Sequence, residues 1–479
     1  MRSANQILER KVLIQTALTC LLSIVYCQFS LAQDNSPYSR YGIGDLHPGS
    51  HIYFRGMGGI SAAMSDQPVT GLNDPRIGKY YPTINFLNPA SYSRFYSIKE
   101  ARTKKLTYGR MLLDVGVNME SHKLKENNNP QSFSSSNIYF SYIHVGIPIK
   151  KDWGLVFGLR PLSSISYKID RREKLFNPSN QVIDSALTRF NGEGGANLFT
   201  IGTGFAVKNF SFGLNAGYLF GGKDYTTRRT FINDTVAYAS SNHQTKSVFG
   251  GIFFNAGMQY RVDLSTSKTR YLQLGLYGNN EQTLRTRNDI IRETFNIDPS
   301  TGAFYRVDSV SESLEQKGKL NYPATFGGGF IIEQLPEIKK AGWLVGVDFS
   351  TTKWDNYLFN GQKDAVSNNW MLRVGGQLRP AVSESYKSLL AYRAGVFFGD
   401  DYINIGQKLP VFGITGGISL PIANLKDASR RFRTQYSIVN ISAEYIKRGK
   451  KDNPIYENQF RLSFGFTLSD LWFTKRKYD

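Results

Sequence analysis

The side chains that most often carry out chemistry are scarce in this sequence. Its 479 residues include five histidines, at positions 47, 51, 122, 144 and 243. His47 and His51 have a spacing that can bind a metal ion, but the intervening Pro48-Gly49 disfavours the helix that this spacing needs. We therefore interpret them as surface histidines. His144 has no accompanying nucleophile signature, so the sequence predicts that the protein is not an enzyme and holds no metal or cofactor.

The first 32 residues have the features of a cleaved export signal. Three basic residues precede a mostly apolar run from Val12 to Val25, and Ser30-Leu31-Ala32 places small residues where a signal peptidase reads them. The alternative is a transmembrane anchor, but the run is shorter than the ~20 residues that a spanning helix needs. Cleavage after Ala32 would remove Cys20 and Cys27, so the exported chain would have no thiol for a disulfide, a zinc site or a nucleophile.

The composition is typical of a β-rich protein with a basic surface. Aromatic residues make up 14% of the chain, which also has 45 glycines. The mean hydropathy of -0.33 is too low for a helical membrane protein. Lys and Arg number 58 against 38 Asp and Glu, a net charge of +20. Because no aromatic-basic motif accompanies this charge, we exclude nucleic acid and expect outer-membrane lipid, lipopolysaccharide or an envelope protein as charged partners.

Apolar and polar residues alternate over long segments after residue 106. From Phe210 to Phe220 the even positions are Phe, Leu, Ala or Tyr, and the odd positions are Ser, Gly, Asn or Leu; residues 459–468 repeat the split. Successive side chains of a strand point to opposite faces, so this pattern predicts one lipid-facing wall and one polar lumen. A secreted β-sandwich or propeller also alternates. The number of segments and the export signal favour a barrel.

The prediction is an all-β fold, a transmembrane antiparallel β-barrel of about 14 strands between residues 106 and 468. The predicted strands cover residues 107–118, 136–149, 153–168, 196–207, 209–221, 248–263, 269–279, 318–333, 342–356, 368–380, 388–399, 410–421, 434–447 and 457–468. Residues 223–233 and 283–297 are predicted extensions or extra strands. Long polar loops are predicted at 169–195, 222–247 and 280–317, and a basic tail at 469–479.

The region before the barrel, residues 33–105, carries two motifs without alternation. Arg55-Gly56-Met57-Gly58-Gly59-Ile60-Ser61-Ala62-Ala63 is followed by Leu87-Asn88-Pro89-Ala90-Ser91. These motifs resemble the hatch, or plug, of the FadL-like outer-membrane transporters of long-chain fatty acids and other hydrophobic compounds. The resemblance continues at Tyr322–Gly327, Trp343–Asp355 and Tyr392–Gly395. The opening Ser36–Asp45 is similar to a divergent branch of that superfamily.

The resemblance implies a plug inside the barrel and a location in the outer membrane of a Gram-negative cell. It implies passive uptake of a hydrophobic or amphiphilic small molecule, with gating by six plug residues, Gly56, Gly58, Gly59, Asn88, Pro89 and Ala90. The alternative for these residues is a structural turn that never moves. The alternative function is a scaffold or carrier in outer-membrane protein export and assembly, as in some members of the superfamily.

Hairpin symmetry predicts which charged residues meet in the lumen. With a turn centred near residue 383, Arg373 faces Arg393, and a preceding connection centred near 360 brings Asp348 close to Arg373. Opposed like charges destabilise a sheet, so the excess arginine could bind the carboxylate of an amphiphilic ligand. The alternative is a network closed by acids of the loops or plug. The same arithmetic predicts a wall salt bridge between Glu444 and Arg461.

Overall fold

The computed structural model describes most of the chain after the predicted export signal. The described residues are 36–65, 83–99, 106–127, 131–232, 239–298, 300–337, 339–381, 383, 385–422 and 435–472. The predicted signal, part of the predicted plug (residues 66–82) and the last seven residues of the predicted tail lie outside these ranges.

The described residues form a closed barrel of 14 antiparallel strands. The strands are β1 (Leu106–Glu126), β2 (Ser132–Lys150), β3 (Trp153–Phe176), β4 (Val182–Val207), β5 (Phe210–Phe231), β6 (Ser240–Asp263), β7 (Arg270–Asn279 and Gln282–Ile297), β8 (Phe304–Tyr322 and Thr325–Gln334), β9 (Gly342–Thr352), β10 (Asn369–Arg379), β11 (Ala391–Asn404), β12 (Lys408–Ile422), β13 (Gln435–Arg448) and β14 (Ile455–Trp472). Pairing of β14 with β1 closes the ring, from Ile455 opposite Glu126 to Trp472 opposite Gly109. The predicted fold class is confirmed.

Each predicted strand overlaps one strand of the barrel, but the long predicted loops are wrong. Residues 169–195, 222–247 and 280–317 lie mostly in strands, and the connections within them are only 177–181, 232–239 and 298–303. These parts of β3 to β8 are polar on both faces, so they lack the alternation from which strands were predicted. Residues 223–231 and 283–297 were predicted as strand extensions or as extra strands. They are extensions, of β5 and β7 respectively.

The two faces of the wall follow the predicted alternation. On β5 the side chains of Phe210, Phe212 and Leu214 are 40 to 49% exposed on the outside, while Ser211 and Asn215 are 2% and 1% exposed on the inside. The outer face therefore presents apolar side chains to lipid, and the inner face presents polar ones to the lumen.

Short elements complete the described structure. They are the strands Asp45–Leu46, Ser97–Lys99 and Leu358–Phe359, the α-helix Ile52–Arg55, and the 3-10 helices Pro37–Arg40, Pro89–Arg94, Trp354–Asn356 and Tyr386–Leu389. Within the described ranges, no helix has the length and apolar character needed to cross a membrane.

The luminal segment, which we define as residues 36–65 and 83–99, lies inside the ring of strands. Its backbone approaches glycines on widely separated strands: Gly417 on β12 lies against Gly56, Gly275 on β7 against Ala62, and Gly213 on β5 against Pro89. Only a segment surrounded by the wall can make these contacts at once. Most of its described side chains are buried.

Candidate functional site

The glycine-rich turn after the helix Ile52–Arg55 packs directly on the wall. Gly58 has a φ of +74°, and a Cβ atom there would lie 2.8 Å from the carbonyl oxygen of Val396 and 2.9 Å from that of Val374. A Cβ atom on Gly56 would lie 2.9 Å from the Cα atom of Gly417, and Gly59 has a φ of +83°. Glycine is needed here both for the left-handed backbone and for the close approach to β10, β11 and β12.

Asn88 connects the two halves of the luminal segment to each other. Its Oδ1 accepts a hydrogen bond from the N–H of Ala90 at 3.2 Å and caps the 3-10 helix that begins at Pro89. Its Nδ2 donates to the carbonyl oxygens of Ala62 at 2.6 Å and of Leu276 at 3.2 Å. Asn88 and Ala90 are fully buried. The arrangement is a firmly bonded turn, and a gating role for these residues stays a prediction.

Asp348 of β9 bonds to the luminal segment rather than to an arginine. Its Oδ2 accepts hydrogen bonds from the backbone N–H groups of Ser61 and, at 2.7 Å, of Ala62. The predicted closeness to Arg373 is present in the strand register, where the two residues are direct partners. Arg373 itself donates to the hydroxyl of Ser350 at 2.7 Å.

Arg393 does not face Arg373, contrary to the predicted pairing. The hairpin between β10 and β11 is centred on Ser385, so Arg373 is opposite Phe397 and Arg393 is opposite Gln377. The predicted centre at 383 was too early because the chain forms the helix Tyr386–Leu389 before β11 begins. Two arginines therefore do not oppose each other, and the argument that an anion must share them no longer holds.

Arg393 instead binds neutral groups of the luminal segment and the wall. Its guanidinium lies 3.6 Å from the centre of the Tyr53 ring, and its Nε donates to Gln377 at 2.9 Å. A further hydrogen bond goes to Ser419. This packing holds Tyr53 in place, and a role in ligand binding stays a prediction.

Sequence reasoning missed Arg55, which is buried at 1% exposure in the luminal segment. Its Nε donates to the carbonyl oxygen of Ser50 at 3.0 Å. Its terminal nitrogens donate to Asn118 at 2.7 Å, Ser141 at 2.6 Å and Ser463 at 3.3 Å, on three different strands. Burial lowers the pKa of Arg55 from its ordinary value. A charged residue inside a run of Gly, Ala and apolar residues was the signal that could have identified it.

The two histidines predicted as a surface pair lie inside the barrel and have different contacts. His51 is 1% exposed and lies 3.3 Å from the carboxylate of Asp114. The ring of His47 packs on Tyr139 with centres 4.1 Å apart, and burial lowers the pKa of His47 to about 4. The surface prediction is wrong because the polar loop carrying both residues folds into the lumen. Among the described residues there is no group of three potential metal ligands.

An ion cluster joins the luminal segment to three wall strands. Arg448 lies 2.9 Å from Asp45, 2.8 Å from Asp401 and 3.5 Å from Glu457. Burial raises the pKa of Asp45 to about 6, although the neighbouring guanidinium opposes this shift. The cluster therefore fixes the segment at the end of the barrel where β14 begins.

The predicted wall salt bridge is present and larger than expected. Arg461 is opposite Glu444 in the register, and its Nη1 lies 2.5 Å from that carboxylate. Its Nε also contacts Glu120 of β1. One arginine thus joins β1, β13 and β14 inside the lumen.

Among the described residues, a cavity of about 370 Å³ lies between the luminal segment and the wall. Charged side chains line much of it, among them Asp45, Arg55, Glu120, Arg373 and Arg448. Apolar side chains, among them Leu87, Phe397 and Ile446, also line it. The cavity therefore offers both charged and apolar surroundings.

An opening lies in the wall between β2 and β3. The structure describes every residue of both strands, and they pair only from Ile143 opposite Leu159 to Lys150 opposite Trp153. Above Ile143 and Leu159, towards the other end of the barrel, the edges of the two strands separate. On the other edge of β3, the ladder with β4 shifts its register between Pro161 and Ser163, and Pro161 has no N–H to donate. A groove of about 450 Å³ lies here, lined by Tyr139, Phe140 and Pro161 among others.

The luminal segment closes part of this opening. Its short strand Asp45–Leu46 pairs with Ser164 and Ser163 on the free edge of β3. The wall groove and the luminal cavity share His47 and Ser164 as lining residues. The opening therefore leads towards the charged cavity.

The fold and these contacts define a class, the outer-membrane β-barrels whose lumen is filled by their own N-terminal segment. The chain belongs to the BamG family, whose model matches residues 11–479. The predicted resemblance to a divergent FadL-like branch is confirmed. No curated protein matches the sequence.

Several solved barrels are similar to this chain at low identity. A toluene transporter, TodX, from Pseudomonas putida is 12% identical with a TM-score of 0.49, covering 89% of this chain and 99% of its own. A FadL homologue from Pseudomonas aeruginosa is 12% identical with a TM-score of 0.46, covering 90% and 100%. A toluene transporter, TbuX, from Ralstonia pickettii is 10% identical with a TM-score of 0.45, covering 87% and 97%.

Proposed function

We propose that the protein is a plugged barrel that works as a scaffold or carrier in the assembly of outer-membrane proteins, without conducting molecules through its lumen. The observation that carries this proposal is the bonding of the luminal segment to the wall. Arg55, Asp348, Asn88 and Arg448 tie it to strands on several sides of the ring.

Movement of this segment would break several buried polar contacts at once. Withdrawal of Arg55 would leave Asn118 and Ser141 without their donor, and withdrawal of Ala62 would remove a donor from Asp348. Each buried polar group left without a partner costs about 1–3 kcal/mol. A plug held by this many contacts is better suited to a rigid body than to a gate. Membership of the BamG family is consistent with an assembly role.

A second function, uptake of hydrophobic molecules such as long-chain fatty acids, is favoured by the opening between β2 and β3. An apolar ligand in the outer leaflet could meet Phe140 and Pro161 there without crossing the lumen. In this function the carboxylate of a fatty acid would bind Arg373, which lines the cavity, or Arg393. Arg393→Gln would then weaken fatty-acid binding, and unchanged binding would discard that role.

A reversible lock on the luminal segment distinguishes the two functions. Leu46 and Ser163 are antiparallel partners, and the adjacent pair is hydrogen-bonded, with the N–H of His47 donating to the carbonyl oxygen of Leu162 at 2.8 Å. Leu46 and Ser163 are therefore a non-hydrogen-bonded pair, whose Cα atoms lie about 4.5 Å apart. This separation suits a disulfide between Leu46→Cys and Ser163→Cys. Both native cysteines lie in the predicted signal, so no other thiol competes.

The variant with the Leu46→Cys, Ser163→Cys disulfide is produced in the native host cell instead of the wild-type protein. We expect it to maintain the outer-membrane levels of other barrels, and fatty-acid uptake to be the same with and without the protein. The single-cysteine variants and a reductant are the controls. Loss of uptake in the locked protein, restored by reduction, would instead assign the transport function.

A further inference from the structure

The two ends of the barrel differ in charge. We call the end with the connections 151–152, 208–209, 264–269, 335–341 and 380–390 the turn end, and the opposite end the loop end. Counted with one flanking residue on each side, these five connections hold nine Lys or Arg and four Asp or Glu. The turn-end connection 423–434, whose structure lies outside the described residues, adds four Lys or Arg and one Asp by sequence. The seven loop-end connections, counted in the same way, hold six of each. The excess positive charge is therefore on the turn end.

The turn end places lysine where the backbone favours smaller residues. Lys208, Lys268 and Lys339 have φ values of 54°, 55° and 70° in three separate connections. Left-handed backbone favours Gly and Asn, and lysine has no side-chain oxygen for the local hydrogen bonds that help Asn there. All three lysines are exposed.

The loop end follows the usual preference at such positions. In its connections the left-handed residues are Asn180, Asn360, Gly302, Gly361, Gly406 and Gly449. Of the four left-handed residues in the turn-end connections that the structure describes, three are lysine and the fourth is Asp152, with a φ of 63°. The contrast indicates that positive charge at the turn end has a use outside folding.

The positive charge of the turn end lies on the end face of the barrel as well as around its rim. Arg94 belongs to the luminal segment, and its Nη2 donates to the carbonyl oxygen of Lys208 at 2.9 Å. It also lies 3.6 Å from Asp152 in the neighbouring connection. Lipid headgroups surround a barrel, whereas residues on its end face point away from the bilayer. A soluble partner can reach all of these groups together.

We propose that the turn end is a docking surface for an acidic protein, with Lys208, Lys268 and Lys339 as its main contacts. Short turns of outer-membrane barrels face the periplasm, so the partner is periplasmic or has a periplasmic domain. Complementary charge would speed association and orient the partner on the barrel. This inference rests on the proposed scaffold function and adds the chemistry of the partner.

The test uses the full exported chain in nanodiscs of neutral phosphatidylcholine, with immobilised poly-glutamate as the acidic probe. We expect salt-sensitive binding by the wild type. The triple variant Lys208→Glu, Lys268→Glu and Lys339→Glu should bind roughly tenfold or more weakly. The matched control is the loop-end triple Lys363→Glu, Lys408→Glu and Lys450→Glu, which should bind as the wild type does.

A second variant separates docking from folding. Replacing the same three turn-end lysines with asparagine removes charge and relieves the left-handed strain, so it should weaken binding while the barrel unfolds at the same or a higher temperature. Equal binding by the turn-end and loop-end variants would overturn the proposal. So would wild-type binding to phosphatidylglycerol vesicles but not to poly-glutamate, which would assign the charge to lipid. Neither result depends on the disulfide lock, so this inference and the scaffold function can fail separately.

Discussion

Single side chains decide whether the luminal segment stays in place, and Arg55 is the clearest case. Replacing it with leucine should remove five hydrogen bonds and leave Asn118 and Ser141 without this donor. We expect docking of the segment to weaken by about 3–5 kcal/mol. Hydrogen exchange of peptides from residues 36–65, followed by mass spectrometry, measures this loss of protection.

Arg94→Leu is the matched control for Arg55→Leu. Arg94 also belongs to the luminal segment, but its ion pair with Asp152 is at the barrel end, where the carboxylate is 37% exposed. Exposed pairs contribute about 0–1 kcal/mol, so exchange in residues 36–65 should change little. Equal effects of the two replacements would show that Arg55 is not the anchor.

Gly58 allows a second prediction about a single residue. Gly58→Ala should destabilise the protein by two effects, the left-handed φ of +74° and contact with the carbonyl oxygens of Val396 and Val374. Gly302→Ala meets only the first effect, since its φ is +67° and no atom lies within 4 Å of the added Cβ. The backbone effect alone is about 1 kcal/mol. Thermal unfolding should show a clearly larger loss for Gly58→Ala, and equal losses would contradict the close contact.

Ion pairs between side chains of neighbouring strands hold those strands together, and the contribution of an ion pair to stability depends on its burial. Arg461 connects Glu444 and Glu120 inside the lumen, so Arg461→Leu removes the arginine from both buried carboxylates and leaves Glu120 with His122, 3.2 Å away, beside it. We expect a loss of about 3–5 kcal/mol in the free energy of unfolding, measured in denaturant. The double variant Arg461→Leu, Glu444→Gln should recover part of it.

The comparison pair lies between β3 and β4. Arg189 binds Asp170 through two hydrogen bonds of 2.8 and 2.9 Å, but both side chains are 39% exposed. Arg189→Leu should therefore cost under about 1 kcal/mol. If it cost as much as Arg461→Leu, burial would not be the reason for the strength of the luminal pair.

The entire barrel should be closed to ions and small solutes. The luminal segment lies inside the ring, and a cavity of about 370 Å³ lies beside it among the described residues. In planar bilayers we expect the wild type to show no steady conductance, and Arg55→Leu to show brief openings because its segment is released more often. Steady conductance of the wild type that the Leu46→Cys, Ser163→Cys disulfide abolishes would contradict the proposed rigid plug.

Local patterns in the sequence were enough to predict the wall. Alternation from Phe210 to Phe220 reports which side chains meet lipid, and this depends only on the two-residue period of a strand. The pairing of Glu444 with Arg461 followed from the same period and a short turn. Where both faces are polar, as in 304–318, the pattern carries less information, and a strand was mistaken for a loop.

Tertiary structure alone decided what fills the lumen and how it is held. Arg55 meets Asn118, Ser141 and Ser463, residues 63 to 408 positions away, and no local pattern encodes such contacts. Arg393 shifted away from Arg373 because a helix of four residues lengthened the turn, which alternation in the strands cannot reveal. The period of a strand is a property of neighbouring residues, and it is therefore readable from the chain. Closure of the ring and docking of the segment depend on residues far apart, and only folding brings them together.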